Sequence, residues 1–458
     1  MRKKALLALM LALTLLLSGC ALIVKDQAVD NATEIIRMGD QVVTKEEVKE
    51  QVESVLQYNE YINSMMGQSY DVTDPQAIAS AQEDAIDALK KDLALTAKAK
   101  ELGLDQLTTE EEETVATKAQ EDYDSAVEYV KSNELTGAGL EGEELDKAVA
   151  DYLAEREVSV EAYAESERKT IIDDKVREYA IKDVAVTDDE LKAEYDSRVE
   201  NDKTNYTDNA GSWATAANNG TTLYWTPAGV RRVKQILIKF KDEDQTAIDE
   251  AQKRVTEANS AVSTASAKVD AAQATLDIDG IDEETETQAK ADLEAAGKEL
   301  EEANKELEEA TKALTDATDK AFDNITADAD EVLAAVKAEG ADWQAIMDEK
   351  NQDPGMKNNE KGYAVAEGMT NFDSAFVDAA MALAKPGDIS DKVKGTSYGY
   401  YIIRYESDEA EGATPLDDVK ETISSALLST KQNDTYNTTV DQWVEAAGIK
   451  VDLNALKD

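Results

Sequence analysis

The segment DISDKVKGTSYGYYIIRYES, Asp388 to Ser407, decides how this chain is read. It offers a turn, a short strand, a tight turn at Gly399, and then Tyr401-Ile402-Ile403-Arg404-Tyr405, whose β-branched and aromatic residues predict a buried strand. Side chains alternate across a strand, so Tyr401 and Ile403 share one face and Ile402 takes the other. A partner strand is legible at Val233-Lys-Gln-Ile-Leu-Ile-Lys-Phe240. Between the two lie a helical pattern from Ala329 to Ala338, Gly340-Ala-Asp-Trp343, a polar loop at Asn351-Gln-Asp-Pro354, and a second helical pattern around Phe376 to Leu383. Strand, helices, strand predicts a compact α+β unit over residues 229–407.

That unit is interrupted by the most regular feature of the chain. Ile248, Val255, Val262, Val269 and Leu276 recur every seven residues, with Ala251, Ala258, Ala265 and Ala272 three residues behind the first four. A second seam of Leu293, Leu300, Leu307 and Leu314 alternates with Ala296, Ala303, Ala310 and Ala317. Two such seams joined at Asp277-Ile-Asp-Gly280-Ile-Asp predict an antiparallel coiled-coil hairpin, inserted over residues 245–326. The acidic tip lacks the later ligands of a calcium-binding loop and reads as a solvated turn.

Before residue 204 the chain is helical in pattern. Thr44-Lys-Glu-Glu47, Thr108-Thr-Glu-Glu111 and Thr187-Asp-Asp-Glu190 each have the spacing of a capping box, and Gly103 follows one long helical pattern as a stop. Gly137-Ala-Gly139-Leu-Glu-Gly142 has the form of a dinucleotide fingerprint, but a helical pattern precedes it where a strand is required, so it reads as an interhelical loop. Residues 204–228, rich in Asn, Thr, Gly and Ala, read as a linker. A C-terminal helix and tail over residues 414–458 begin at Thr414-Pro415 and carry a stripe of Val419, Ile423, Ala426, Leu427 and Thr430. The fold class expected is α+β and mostly helical.

Composition limits the chemistry. Among 458 residues there is no histidine and one cysteine, Cys20. A Ser-His-Asp triad, an HExxH zinc site, a thiol nucleophile and a disulfide framework are therefore excluded, and no cofactor or metal is implied. What remains is carboxylates, hydroxyls, amides and apolar surface. The start, Met1-Arg-Lys-Lys followed by apolar residues to Leu17 and then Leu17-Ser-Gly-Cys20, has the order of a secretory signal. Its apolar run is shorter than the roughly 20 residues of a membrane-spanning helix. It resembles a lipoprotein signal over residues 1–19, which implies acylation of Cys20 and a tether over residues 20–33. Losing Arg2, Lys3 and Lys4 would take the formal charge from −50 to −53, a field that repels nucleic acid.

The strand motifs are similar to those of a parvulin-type (PpiC, rotamase) peptidyl-prolyl isomerase domain. Lys234-Gln-Ile-Leu-Ile238, Gly340-Ala-Asp-Trp343, Asn351-Gln-Asp353, Phe376-Val-Asp-Ala379, Pro386-Gly-Asp-Ile-Ser390 and Thr396-Ser-Tyr-Gly-Tyr-Tyr-Ile-Ile403 each match a motif of that family. Together with the acylated cysteine and the helical region over residues 34–203, they resemble the PrsA-type and SurA-like extracytoplasmic foldases. The resemblance implies a C-terminal helix packing back on a helical N-terminal chaperone region. Two site histidines of the family fall on Gln235 and Tyr401, its acid on Asp353 and its hydroxyl on Thr396. Phe372 and Phe376 take the substrate-binding positions. The partners implied are unfolded or proline-containing secreted polypeptides, and the membrane through the lipid anchor. A non-catalytic holdase and a coiled-coil surface spacer or adhesin are the alternative readings. Tyr401 is expected to turn inward beside Gln235 and Thr396, because a buried phenol hydroxyl without a partner costs about 1–3 kcal/mol.

Overall fold

The computed structural model describes residues 27–357 and 359–456. Cys20 and the signal-like segment lie outside the described residues. The chain divides into two compact units, Thr187–Ser425 and a second made of Met1–Val186 with Ala426–Asp458.

A short helix α1 (Gln27–Asn31) leads into a hairpin of β1 (Glu34–Met38) and β2 (Gln41–Thr44). Helices α2 (Lys45–Met65), α3 (Pro75–Leu102), α4 (Thr109–Tyr129), α5 (Gly142–Ala154) and α6 (Val160–Ile181) follow. The unit from Thr187 holds α7 (Asp188–Tyr206), α8 (Ala210–Asn218), β3 (Trp225–Thr226), β4 (Arg231–Lys239), α9 (Asp242–Leu276) and α10 (Glu283–Lys337). It continues with α11 (Trp343–Lys350), β5 (Tyr363–Val365), α12 (Ser374–Ala382), β6 (Val393–Lys394), β7 (Gly399–Asp408) and β8 (Gly412–Ala413). Helix α13 (Leu416–Ala446) belongs to the other unit from Ala426 onward, and β9 (Lys450–Val451) closes the chain. Among the described residues no helix is long and apolar enough to cross a membrane.

Local signals are realised where they were read. Thr44, Thr108 and Thr187 each accept a hydrogen bond from the amide of the glutamate three residues on, and the carboxylate of that glutamate accepts one from the cap residue's amide. Gly103 ends α3 in the left-handed region, and residues 137–141 form a loop between helices.

In the unit that ends at Val186 and resumes at Ala426, β9 pairs with β1, and Ile35, Ile36, Val43, Val48, Ile86 and Leu93 make a core that Ile449 and Val451 help to cover. The later part of α13 packs on the N-terminal helices: the Arg177 guanidinium lies 4.8 Å from the Tyr436 ring centre, Lys98 lies over Trp443, and the Lys431 ammonium donates to the Ala185 carbonyl. Two expectations need correction here. Residues 27–31 of the expected tether form α1, whose Asp30 pairs with the buried Lys45. Residues 34–44 are strands rather than helix, because Ile35, Ile36, Val42 and Val43 flank a turn whose Gly39 has φ of 60°.

In the other unit a four-stranded antiparallel sheet runs in the order β5-β4-β7-β6. One face, with Ile236, Ile238, Phe240, Tyr400 and Ile402, is covered by Phe322, Ile325, Val332 and Val336 of α10 and by Trp343 and Met347 of α11. The other, with Val233, Leu237, Tyr401 and Ile403, is covered by Phe376, Val377 and Ala380 of α12 and by Trp213 and Ala214 of α8. Residues 204–228 are therefore not a plain linker. Ala210-Gly-Ser-Trp-Ala214 seats a tryptophan in the core, and the Asn218 side chain bonds both the amide and the carbonyl of Ala364 on β5.

Helices α9 and α10 run antiparallel, with Arg254 on Glu306 and Lys268 on Glu299 across the pair. Ala258, Ala265, Ala272, Ala289, Ala296 and Ala310 are buried between them. The expected separate helix at Ala329–Ala338 is the end of α10, since no glycine or proline interrupts the chain between Lys298 and Lys337. The lower end of the hairpin thus belongs to the sheet's core. Phe322 meets the rings of Phe240 at 4.8 Å and Tyr400 at 4.9 Å, and the Asn324 amide donates to both oxygens of Asp244.

Candidate functional site

The strand register sets the site. Leu237 of β4 lies opposite Tyr401 of β7, and Gln235 lies opposite Ile403. Strand β5 pairs with β4 only from Arg231 to Val233, so the edge of β4 beyond that point needs other partners. The loop before the turn at Pro354 supplies them. Asn351 Oδ1 accepts from the Leu237 amide, the Gln352 amide donates to the Leu237 carbonyl, and Gln352 Oε1 accepts from the Lys239 amide. This stitching delivers Asp353 to Gln235.

Asp353 is then held on three sides. Its Oδ2 accepts from Gln235 Nε2 at 2.7 Å and from the Tyr363 hydroxyl at 2.9 Å, while Oδ1 accepts from the Gly355 amide. A Cβ at Gly355 would run into the Tyr363 hydroxyl and force it away from its place on Asp353. A second carboxylate, Asp373, caps α12 through the Ala375 amide. Its Oδ2 receives the Thr396 amide and, at 3.0 Å, the Thr396 hydroxyl; the Tyr401 hydroxyl points to the same oxygen at 3.5 Å. Gly395 permits this crowding, since a Cβ would lie 2.4 Å from the Tyr401 ring. Burial, and then Asp353, pushes the Tyr363 phenol well above its usual range; burial followed by the Asp373 charge does the same to Tyr401.

Over these polar groups four rings form an edge-to-face row: Tyr363 to Phe372 at 5.0 Å, Phe372 to Phe376 at 5.7 Å, and Phe376 to Tyr401 at 5.4 Å. The row borders a cavity of about 390 Å³, whose wall also includes Gln235, Leu237, Asp353, Asp373 and Tyr398. Its size and mixed wall suit a short peptide segment or one ring with its flanking amides.

Of the six candidates in the described part, Gln235, Asp353, Phe372, Phe376 and Tyr401 line this one cavity. Thr396 is exposed and stands outside the wall, reaching the site through Asp373. Tyr401 turns inward, being 5% exposed, but its hydroxyl goes to Asp373 and not directly to Gln235 or Thr396. The register explains the correction, because Gln235 and Tyr401 are diagonal across the strand pair rather than opposite. Tyr363 and Asp373 were missed. Asp373 had a legible signal, an acid one residue before a helix, whereas Tyr363 had none.

No family model matches the chain. The foldase protein PrsA of Clostridium botulinum (strain Hall) is 36% identical over 112 residues, which is 24% of this chain and 32% of that protein. The foldase protein PrsA of Streptococcus pneumoniae (strain Hungary19A-6) is 31% identical over 159 residues, 30% of this chain and 50% of that protein. The chain thus matches about a third to a half of the length of these relatives. The crystal structure of PrsA from Streptococcus pneumoniae aligns at 16% identity over 93% of this chain and 97% of that one, with a TM-score of 0.21. A chain from the study of two SurA-like chaperones of Campylobacter jejuni aligns at 15% identity over 92% and 100%, with a TM-score of 0.24. In sequence the chain is similar to PrsA-type foldases, and its own architecture is the mostly helical α+β one expected.

Proposed function

We propose that this chain is an extracytoplasmic foldase, tethered through an acylated Cys20, which binds proline-bearing segments of unfolded secreted polypeptides and rotates their X-Pro bonds. The observation that carries the reading is the aromatic row of Tyr363, Phe372, Phe376 and Tyr401 beside a cavity of about 390 Å³. A prolyl amide resists rotation by about 20 kcal/mol because resonance gives its C–N bond double-bond character. Twisting removes that resonance and the charge separation that goes with it. An apolar cleft that grips the proline ring therefore favours the twisted amide over the planar one, without nucleophile or metal.

The polar groups beneath the rings fix the shape of the cleft. Gln235 and Tyr363 share Asp353, and Tyr401 and Thr396 share Asp373, so four side chains are positioned without a histidine. The paired helices α9 and α10 are read as the coiled-coil insertion of this domain.

A protease-coupled assay on an X-Pro peptide, run beside an aggregation-suppression assay, tests the proposal. Rate enhancement that falls at least tenfold in Phe372→Ala is the expected result. Suppression without rate enhancement would reduce the chain to a holdase, and neither activity would leave a surface spacer.

A further inference from the structure

The cavity wall carries two carboxylates whose charge the foldase reading does not use. Asp353 and Asp373 come from different loops and are half-buried. Each is held by neutral donors: Gln235, Tyr363 and the Gly355 amide on Asp353; Thr396, Tyr401 and the Ala375 amide on Asp373. Among the described residues, the ion pairs formed by Lys and Arg include neither carboxylate, although Asp408, Glu409 and Asp391 of the same unit are paired. Lys239, exposed at the end of β4, is the one cation in the wall among the described residues.

A second feature points the same way. Gln235 is 6% exposed; its amide nitrogen is committed to Asp353, and its Oε1 is buried without a hydrogen-bond partner among the described residues. A buried acceptor left open beside two fixed negative charges calls for a donor. The phenol protons of Tyr363 and Tyr401 already point to the carboxylates, so they do not neutralise the wall.

Resting on the foldase reading, we propose that this cavity selects prolines preceded by a cationic residue, lysine or arginine, and rejects prolines preceded by an acidic one. The proline ring takes the aromatic row, and the neighbouring ammonium or guanidinium lies against Asp353 and Asp373. A half-buried pair is screened less by salt than an exposed one, so the selection persists at physiological ionic strength.

The test uses three fluorescent peptides that differ in the residue before proline, Lys, Leu or Glu, with Kd measured on the whole protein in about 0.15 M salt. The Lys peptide is expected to bind about fivefold tighter than the Leu peptide, and the Glu peptide weaker by a similar factor. Asp353→Asn combined with Asp373→Asn keeps an acceptor at each position and should bring the Lys-to-Leu ratio near one. Asp373→Asn alone should lower the ratio part of the way, and covers the case in which the double variant fails to fold. Glu301→Gln with Glu302→Gln, two exposed acids of α10, removes the same formal charge elsewhere and should leave the ratio intact. Equal affinity for the three peptides, a ratio unmoved by the Asn variants, or a ratio abolished by the α10 variant would overturn the selection while the foldase reading stands. Failure of all three peptides to bind would overturn both.

Discussion

The two faces of the four-stranded sheet are built from neighbouring residues and have opposite characters. Ile236, Ile238, Tyr400 and Ile402 point to α10 and are packed shut, with Phe322 wedged between Phe240 and Tyr400. Gln235, Leu237, Tyr401 and Ile403, one residue out of step on the same strands, take the opposite face, where Ile403 joins the core under α12 and the other three border a cavity with two carboxylates in its wall. Period-two alternation thus lets β4 and β7 carry a core on one side and a binding cleft on the other. Stability should be concentrated on the first face and ligand affinity on the second.

The largest effect should come from cutting the hairpin too low. Replacing Gln245 to Thr326 by a short Gly/Ser loop removes Ala321, Phe322 and Ile325 from the closed face, together with the Thr326 hydroxyl that meets Tyr400 at 3.1 Å. Thermal unfolding followed by circular dichroism should show loss of the cooperative transition of this unit. A higher cut, from Glu250 to Asp316, spares those residues and should keep it. If the two deletions melt alike, the closed face does not depend on α10.

Phe322→Ala comes next. Truncating a buried phenylalanine costs about 3–5 kcal/mol, and the tight ring contacts on both sides leave little room for collapse. Urea unfolding measures it. A loss under 1 kcal/mol would mean that this face is loosely packed.

Phe372→Ala is the counterpart on the open face. Phe372 is half-buried and borders existing space, so its truncation should cost about 1–2 kcal/mol of stability but at least tenfold in peptide affinity. A variant that unfolds as readily as Phe322→Ala would erase the contrast between the faces.

This contrast was partly legible. The closing strand, its alternation, the alanine seams and the three capping boxes rest on residues within one or two turns of each other, and all appear in the structure. Strand β9 could not be read, because Lys450 and Val451 gain strand character only from Arg37 and Ile36 at the other end of the chain. The same holds within the site. Phe372 and Phe376, a turn apart, were found together, whereas the joining of Thr396 and Tyr401 through Asp373 depends on a loop crossing that leaves no local pattern. Where α10 enters the core was misplaced for a related reason: Ala321, Phe322 and Ile325 follow the last seam residue, Ala317, with no break in the helix, and they take their role only from the distant strands they pack on.

The smallest effects should come from the adjacent tyrosines, and they separate the faces most sharply. Tyr400 and Tyr401 are both buried, at 4% and 5% exposure, and each loses a single hydroxyl contact on change to phenylalanine. Neither change strands a partner. Thr326 still donates to the Phe322 carbonyl, and Asp373 Oδ2 still accepts from the Thr396 amide and hydroxyl. Each substitution should therefore cost about 0.5–1 kcal/mol, at the lower end for Tyr401 because its bond to Asp373 is 3.5 Å long. Peptide affinity and any prolyl rotation should respond to Tyr401→Phe, which removes a hydroxyl held against Asp373 in the cavity wall, and not to Tyr400→Phe, which lies behind the sheet. Equal binding losses in the two variants would show that the hydroxyls act through the stability of the domain, and the division of labour between the two faces would fail at the one place where it is tested by neighbouring residues.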